Sequence, residues 1–160
     1  MVLTLEPVLT ARLSLPLWTA ADVELIRGAG RRAEWHDDFP REDDLGAASL
    51  WHPDDPWGPR SIVRGVTVLG SIGFYGPPDD VFGEVEVGYG LVQQAWGWGF
   101  ATEALQGMLA HVDGPVRASV VPENARSLRV LAKCGFTELR GSNDDGELVM
   151  VRPRAPRVEP

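Results

Sequence analysis

The chain of 160 residues is 44% hydrophobic and carries a net charge of −8, from 15 Lys+Arg against 23 Asp+Glu. That is the size and apolar content of a single domain, and the acidity argues against a sequence-independent grip on nucleic acid or on an anionic membrane while favouring cationic partners. Its one cysteine, Cys134, excludes an intrachain disulfide and a Cys-based zinc cluster and points to a reducing, cytoplasmic setting. No apolar run approaches the ~18 residues of a membrane span, and MVLTLEPVLTARL lacks the basic start and long apolar stretch of a signal peptide.

Taken in chain order, ARLSLPLW (Ala11 to Trp18) alternates apolar and polar and reads as a strand, with Pro16 placing it at an edge or a bulge. Thr19 caps a short helix through Val23, Leu25 and Ile26 that ends near Gly28 or Gly30. From Arg31 to Arg60 periodicity fails among acids, prolines and three tryptophans, a length of loop that is uncommon unless functional or mobile. RSIVRG and VTVLGSIGFYG form a hairpin around Gly65. EVEVGYGLV then alternates strictly, with Val85, Val87, Tyr89 and Leu91 on one face and Glu84, Glu86, Gly88, Gly90 and Val92 on the other.

A glycine-rich stretch, QQAWGWG, opens a helix running to about Val112, on which Ala101, Leu105, Met108, Leu109 and Val112 recur at helical spacing. VRASVV is a strand. PENARSLRVLAKCGF follows as a helix with Asn124 at the N-cap and Gly135 at the left-handed C′ position. FTELRG and ELVMVRP close the chain as a hairpin about SNDDG. One domain spans residues 1–152, and 153–160 form a Pro-rich, frayed tail.

Strand, glycine loop and helix in that order aim free backbone N–H groups and a helix dipole at one point, which suits phosphate; glycines are needed because a Cβ holds the phosphate oxygens away. The loop alone also fits a tight turn beneath its tryptophans. G-x-G-x-x-G is not completed, since the sixth position is Thr102, and no G-K-[ST] follows, so neither a Rossmann nor a Walker motif is present.

Gln94-Ala95-Trp96-Gly97-Trp98-Gly99 resembles the Q/R-x-x-G-x-G/A pyrophosphate loop of the GNAT superfamily of N-acetyltransferases, with FATEAL as the helix after it. PENARSLRVLAKCGF resembles the N-x-x-S-x-x-x-x-x-K-x-G-F segment of the branch typified by the ribosomal-protein N-terminal acetyltransferases RimJ and RimL. EVEVGYGLV is similar to the family's fourth strand and TARLSLPLWTAADVELI to its opening strand and helix, so the resemblance spans nearly the whole chain in order.

The resemblance implies an α/β fold whose mixed sheet splays between the family's fourth and fifth strands, with acetyl-CoA in the split and no metal. Its pantetheine would pair with backbone at Leu91 and Val92, and its pyrophosphate would sit on the N–H groups of Gln94, Gly97, Trp98, Gly99, Phe100, Ala101 and Thr102. Asn124 and Ser127 would lie beside the pantetheine arm and thioester. Arg126, Arg129 and Lys133 either assist the phosphates or form a solvated helix face.

Acetyl transfer to an amine needs a base for the ammonium, donors for the oxyanion and a proton for the thiolate. Glu86, half buried on the strand where the family often places a catalytic glutamate, is the expected base. The alternative is an exposed strand residue like Glu84. The tyrosine that other branches use as acid is replaced by Leu131, which leaves Ser127 as proton donor, although a serine at a helix start is also a cap. A backbone N–H near Val92 is the expected oxyanion donor.

Trp35 and Trp51, with the acids of the Arg31 to Arg60 segment, are the expected acceptor surface, suited to a cation through ring faces and carboxylates. The bland alternative is packed indoles and solvating acids. The expected reaction is direct transfer of acetyl from acetyl-CoA to a primary amine, a protein N-terminus or a small cationic molecule, with neither nucleic acid nor membrane as partner and with room for a homodimer. A different class is a non-catalytic CoA-binding protein of the same fold.

Overall fold

The structure, a computed structural model, describes residues 2–154. The expected tail from 153 lies mostly outside the described residues. The strands are β1 Val8–Leu9, β2 Ser14–Leu15, β3 Arg60–Arg64, β4 Thr67–Phe74, β5 Val85–Leu91, β6 Val116–Val120, β7 Glu138–Ser142 and β8 Leu148–Arg152; the α-helices are α1 Ala20–Glu24, α2 Glu42–Ala48, α3 Phe100–Leu109 and α4 Ala125–Lys133. All eight strands join in the order β1-β2-β3-β4-β5-β6-β8-β7. Neighbours are antiparallel except β5 and β6, which run parallel and pair only at Val85↔Val116 and Glu86↔Arg117. Beyond Glu86 the two strands part, and the sheet opens into the expected split. The mixed α/β architecture is the one the sequence implies.

Most elements form where their sequence patterns place them. Thr19 caps α1 with a reciprocal box to Asp22, and Asn124 accepts the Ser127 N–H at the start of α4. The core lies between the sheet and α3, where Ala104, Leu105 and Met108 are wholly buried against Val85 and Val116. Two expectations change. The first strand is confined to Ser14–Leu15 with a bridge from Leu17 to Arg60, and a short strand at Val8–Leu9 precedes it. The Arg31 to Arg60 segment contains a helix, α2, whose inward positions are Asp44 and Ala48. A buried aspartate at a core-facing position erases the apolar stripe by which a helix is recognised.

Candidate active site

A cavity of about 760 Å³ lies between β4 and β5, the start of α2, the first turn of α4 and the β7–β8 turn. On one face of β5, Glu86 is followed at two-residue steps by Gly88 and Gly90. A Cβ at Gly88 would collide with the Tyr75 hydroxyl, and one at Gly90 with the Arg41 guanidinium. The two glycines thus leave that face bare so that Tyr75 and Arg41 can reach across it. Arg41 is pinned by Asp44, wholly buried, whose Oδ1 takes its Nη2 at 3.0 Å and also the Ser71 hydroxyl. Burial raises the Tyr75 phenol above its ordinary range, with Glu86, Asp43 and Glu147 adding to it.

Glu86 lines this cavity and has a partner that the sequence reading did not foresee: Arg117 of β6 donates from Nε to Oε1 at 3.1 Å. Its Oε2 has no hydrogen-bond partner among the described residues. Arg117 also reaches Asp79 at 2.8 Å and Glu84 at 3.2 Å. Glu84, expected to be exposed, is 2% exposed and is gripped by Arg140 through both carboxylate oxygens. Those Arg140 bonds hold the Glu84 carboxyl below its usual range. Asp79 is pulled to about 2, first by the Phe82 N–H and then by Arg117.

The edge of β5 that faces the split follows from its pairing. Val92 N–H donates to Leu69 O at 2.8 Å and Tyr75 N–H to Glu86 O at 2.9 Å, so the even-numbered residues turn their backbone toward β4; Val85 N–H points the other way, to Pro115 O at 3.2 Å. Alternation then directs the N–H groups of Tyr89 and Leu91 into the split. The expected donor near Val92 is therefore displaced: its own N–H is spent inside the sheet, and its neighbours at 89 and 91 are the open ones. Leu91 O accepts the Trp96 indole N–H at 3.0 Å.

Across the split, the Tyr89 hydroxyl lies 2.9 Å from Ser127 Oγ. Burial pushes the Tyr89 phenol up to about 12. The N-cap of α4 is Asn124, so the Ser127 hydroxyl is left for Tyr89 and the cavity it lines. Leu131 lines the same cavity with its side chain almost wholly buried. Cys134 packs in the core as expected, its thiol pushed up to about 11 by burial.

A second cavity of about 220 Å³ lies at the β5–α3 junction, with Gly97, Gly99, Ala101 and Thr102 on one wall and Arg126, Arg129 and Lys133 of α4 on the other. Gly97 and Gly99 adopt φ of +84° and +81°, the left-handed region open to glycine. Gly99 is the N-cap of α3 and brings no side chain, so the first N–H groups of the helix remain without intrahelical partners. Arg126 lies over the Trp96 ring at 3.4 Å from its centroid. The three α4 cations, all exposed, line this cavity together.

Other expected site residues are set apart. Phe100 buries its side chain in the core, 3% exposed, while its backbone lines the second cavity at the start of α3. Gln94 Oε1 is engaged with His36 Nε2 at 2.8 Å, and Trp98 is exposed, its carbonyl taking Arg12 Nη1 at 3.0 Å. Trp35 and Trp51 are not brought to the cavity: Trp35 is buried edge-on to Phe39 at 5.1 Å, and the Trp51 indole donates to Trp18 O at 3.0 Å. Both indoles are spent on packing. Among the acids of that segment, Glu42, Asp43 and Asp55 reach the cavity wall, whereas Asp44 is structural.

Residues 12–137 match the model of the acetyltransferase (GNAT) domain. The chain belongs to the GNAT family of acetyltransferases. No curated protein is similar enough to match. Among solved structures, an acetyltransferase from Agrobacterium tumefaciens is 21% identical, with 94% of this chain and 96% of that one covered at a TM-score of 0.63. The ribosomal-protein-S5-alanine acetyltransferase from Vibrio fischeri is 16% identical over 92% and 96% at 0.63. The microcin C7 self-immunity acetyltransferase MccE, in complex with acetyl-CoA and AMP, is 14% identical over 90% and 93% at 0.64. At these identities the structures share the GNAT fold with this chain. No helix among the described residues is long and apolar enough to cross a membrane.

Proposed function

We propose that this GNAT protein moves the acetyl group of acetyl-CoA directly to a cationic primary amine, a small molecule or a protein N-terminus. The observation that carries the reading is the Glu86 carboxylate, with an unpartnered Oε2, on the wall of a large cavity that shares the opened edge of β5 with a cationic cradle. The residues fit the co-substrate: bare helix-start N–H groups and three cations for its phosphates, and the Tyr89 and Leu91 backbone for its amide-bearing arm. Bound there, acetyl-CoA would supply an activated acetyl thioester. Local donors outweigh the net charge of −8, because distant charge is screened beyond ~8 Å while the cradle touches the phosphates.

Glu86 Oε2 takes the proton of the acceptor ammonium, leaving a neutral amine at the cavity mouth of the split. The amine nitrogen forms a bond to the acyl carbon as the carbon–sulfur bond breaks, the acylated nitrogen sheds its excess proton to solvent to give the neutral amide, and Ser127 gives its hydroxyl proton to the sulfur. N–H groups at the β5 edge face the developing oxyanion. The acceptor's charge is met by Asp43, Asp55, Asp145 and Glu147 on the same wall. The test is thiol release from acetyl-CoA with a panel of amines and N-terminal peptides, with the acetylated product identified by mass. Acetyl-CoA binding without thiol release from any amine would assign the chain to non-catalytic binding.

A further inference from the structure

We propose that the Tyr89 hydroxyl, through its hydrogen bond to Ser127 across the split, makes Ser127 the acid of the reaction by replacing the proton that Ser127 gives to the departing sulfur. The inference rests on the acetyl-transfer reading and assigns Tyr89 as a positioning residue that acts through Ser127.

An aliphatic hydroxyl is a poor acid on its own, and a thiolate leaves better when a donor behind that hydroxyl shares the charge it develops. Tyr89 is the one phenol placed to do so. Its side chain extends from the opened part of β5, three residues beyond the last pair with β6, to the first turn of α4, where the two oxygens are 2.9 Å apart. Ser127 has a single proton. If that proton is directed at sulfur, Oγ can only accept from Tyr89, whose other contact, Ser127 O, is long at 3.5 Å. The neighbouring positions of α4 offer no acid, since Leu131 fills the adjacent one and Cys134 turns its thiol toward Thr102 O at 3.8 Å, and the other phenol of the cavity, Tyr75, reaches across the Gly88 face of β5, opposite to Tyr89. Burial keeps the phenol protonated throughout the neutral range. Glu86 lies on the opposite face of β5, so base and acid approach the split from its two sides.

The proton balance closes. The carbon–nitrogen bond forms and the carbon–sulfur bond breaks with its electron pair on sulfur. Ser127 passes its proton to sulfur, and Tyr89 passes its own to Ser127 Oγ. The acylated nitrogen sheds its second proton to become the neutral amide, and that proton returns through solvent to the Tyr89 oxygen, while the proton that Glu86 took from the ammonium is released to solvent before the next turnover.

Thiol release by the unmodified protein is measured first with the best amine of the panel. Its absence overturns the acetyl-transfer reading, and this inference with it; thiol release indifferent to position 89 overturns this inference alone. Tyr89→Phe is expected to lower kcat by about 10- to 100-fold, with the KM for acetyl-CoA unchanged. The double variant with Ser127→Ala should be no slower than Ser127→Ala by itself, because the two residues act as one unit. Additive losses, or a raised KM with kcat intact, would show a packing role.

Should Tyr89→Phe fail to fold, 2,3,5-trifluorotyrosine at position 89 keeps the ring and hydroxyl while making the phenol far more acidic. Its ionisation is followed by fluorine NMR in the ligand-free protein, where Ser127→Ala should raise the phenol pKa by removing a hydrogen bond that lowers it. The kcat of the fluorinated protein should fall as pH rises through that same pKa, since a phenolate has no proton to give. A kcat that stays level across the measured ionisation overturns the proposal.

Discussion

Glu86 illustrates how much a single carboxylate's role depends on which of its oxygens is engaged. Oε1 is held by Arg117, which fixes the side chain's orientation, and Oε2 is left to the cavity. Glu86→Gln keeps an oxygen for Arg117 but removes the proton acceptor. The expected outcome is a fall in kcat of about 10²-fold at neutral pH, within the range of general-base contributions, with acetyl-CoA affinity unchanged by calorimetry. The deficit should narrow as pH rises and the amine arrives neutral; full rate at neutral pH would move the base elsewhere. The placement of Glu86 and Ser127 on the cavity wall was legible because family motifs mark them, whereas that of Arg41, Tyr75, Arg117 and Tyr89 was not. Arg41 lies in a stretch without periodicity, and Tyr89 sits among the apolar residues of its strand, where an aromatic reads as core. The trace they left is indirect: Gly88 and Gly90 weaken a strand unless something must approach it closely, and the guanidinium and hydroxyl that do so come from distant sequence.

Each element carries a device that local sequence shows to a different degree. The conformation of the glycine loop was legible, since bare backbone at a helix start is a local matter. Gly99→Val should abolish acetyl-CoA binding, as a branched residue at φ of +81° is strained and covers the N–H groups. Unchanged affinity with the fold intact by circular dichroism would remove the cradle from this loop. By contrast, α2 was invisible because its buried face carries Asp44, and Arg60 was read only as a strand boundary. Arg60 is wholly buried and donates to the carbonyls of Thr4, Glu6, Leu15 and Pro56. It thereby ties the N-terminal segment to β3 through contacts that no periodicity encodes. Below the split, Asp79, Glu84, Arg117 and Arg140 bind β5, β6 and β7 together. The Asp79 carboxyl is depressed from 3.8 to about 2 in the folded protein, so its contribution to stability is complete above 3.8 and is lost as pH falls toward 2. Glu84 is shifted the same way. The melting temperature should therefore fall steeply on acidification through that window, and Asp79→Asn should flatten the fall; an unchanged acid limb would deny this network its part.

At the scale of the whole molecule, surface charge is sorted by region. The protein is acidic overall, yet Arg126, Arg129 and Lys133 gather at the cavity that suits phosphates, while Glu42, Asp43, Asp55, Glu86, Asp145 and Glu147 line the other with Arg41 and His52. Arg41 is offset by buried Asp44, so the acceptor side keeps a net negative wall. A cationic amine approaching it is drawn by a field that salt screens over ~8 Å at physiological ionic strength. With acetyl-CoA held saturating, so that its own salt sensitivity drops out, kcat/KM for the best amine should fall by about tenfold or more between low and high salt, and kcat should change little. Lysine at Asp43, Asp145 and Glu147 together should reproduce that loss at low salt and leave little for added salt to remove. Asp43 is suited to this because its side chain is 88% exposed; Asp44 is not, because reversing it would release Arg41 and Ser71 from the cavity wall. A best acceptor that is neutral or acidic, or a kcat/KM indifferent to both salt and charge reversal, would show that the acids on this wall solvate it and that the amine is chosen by shape.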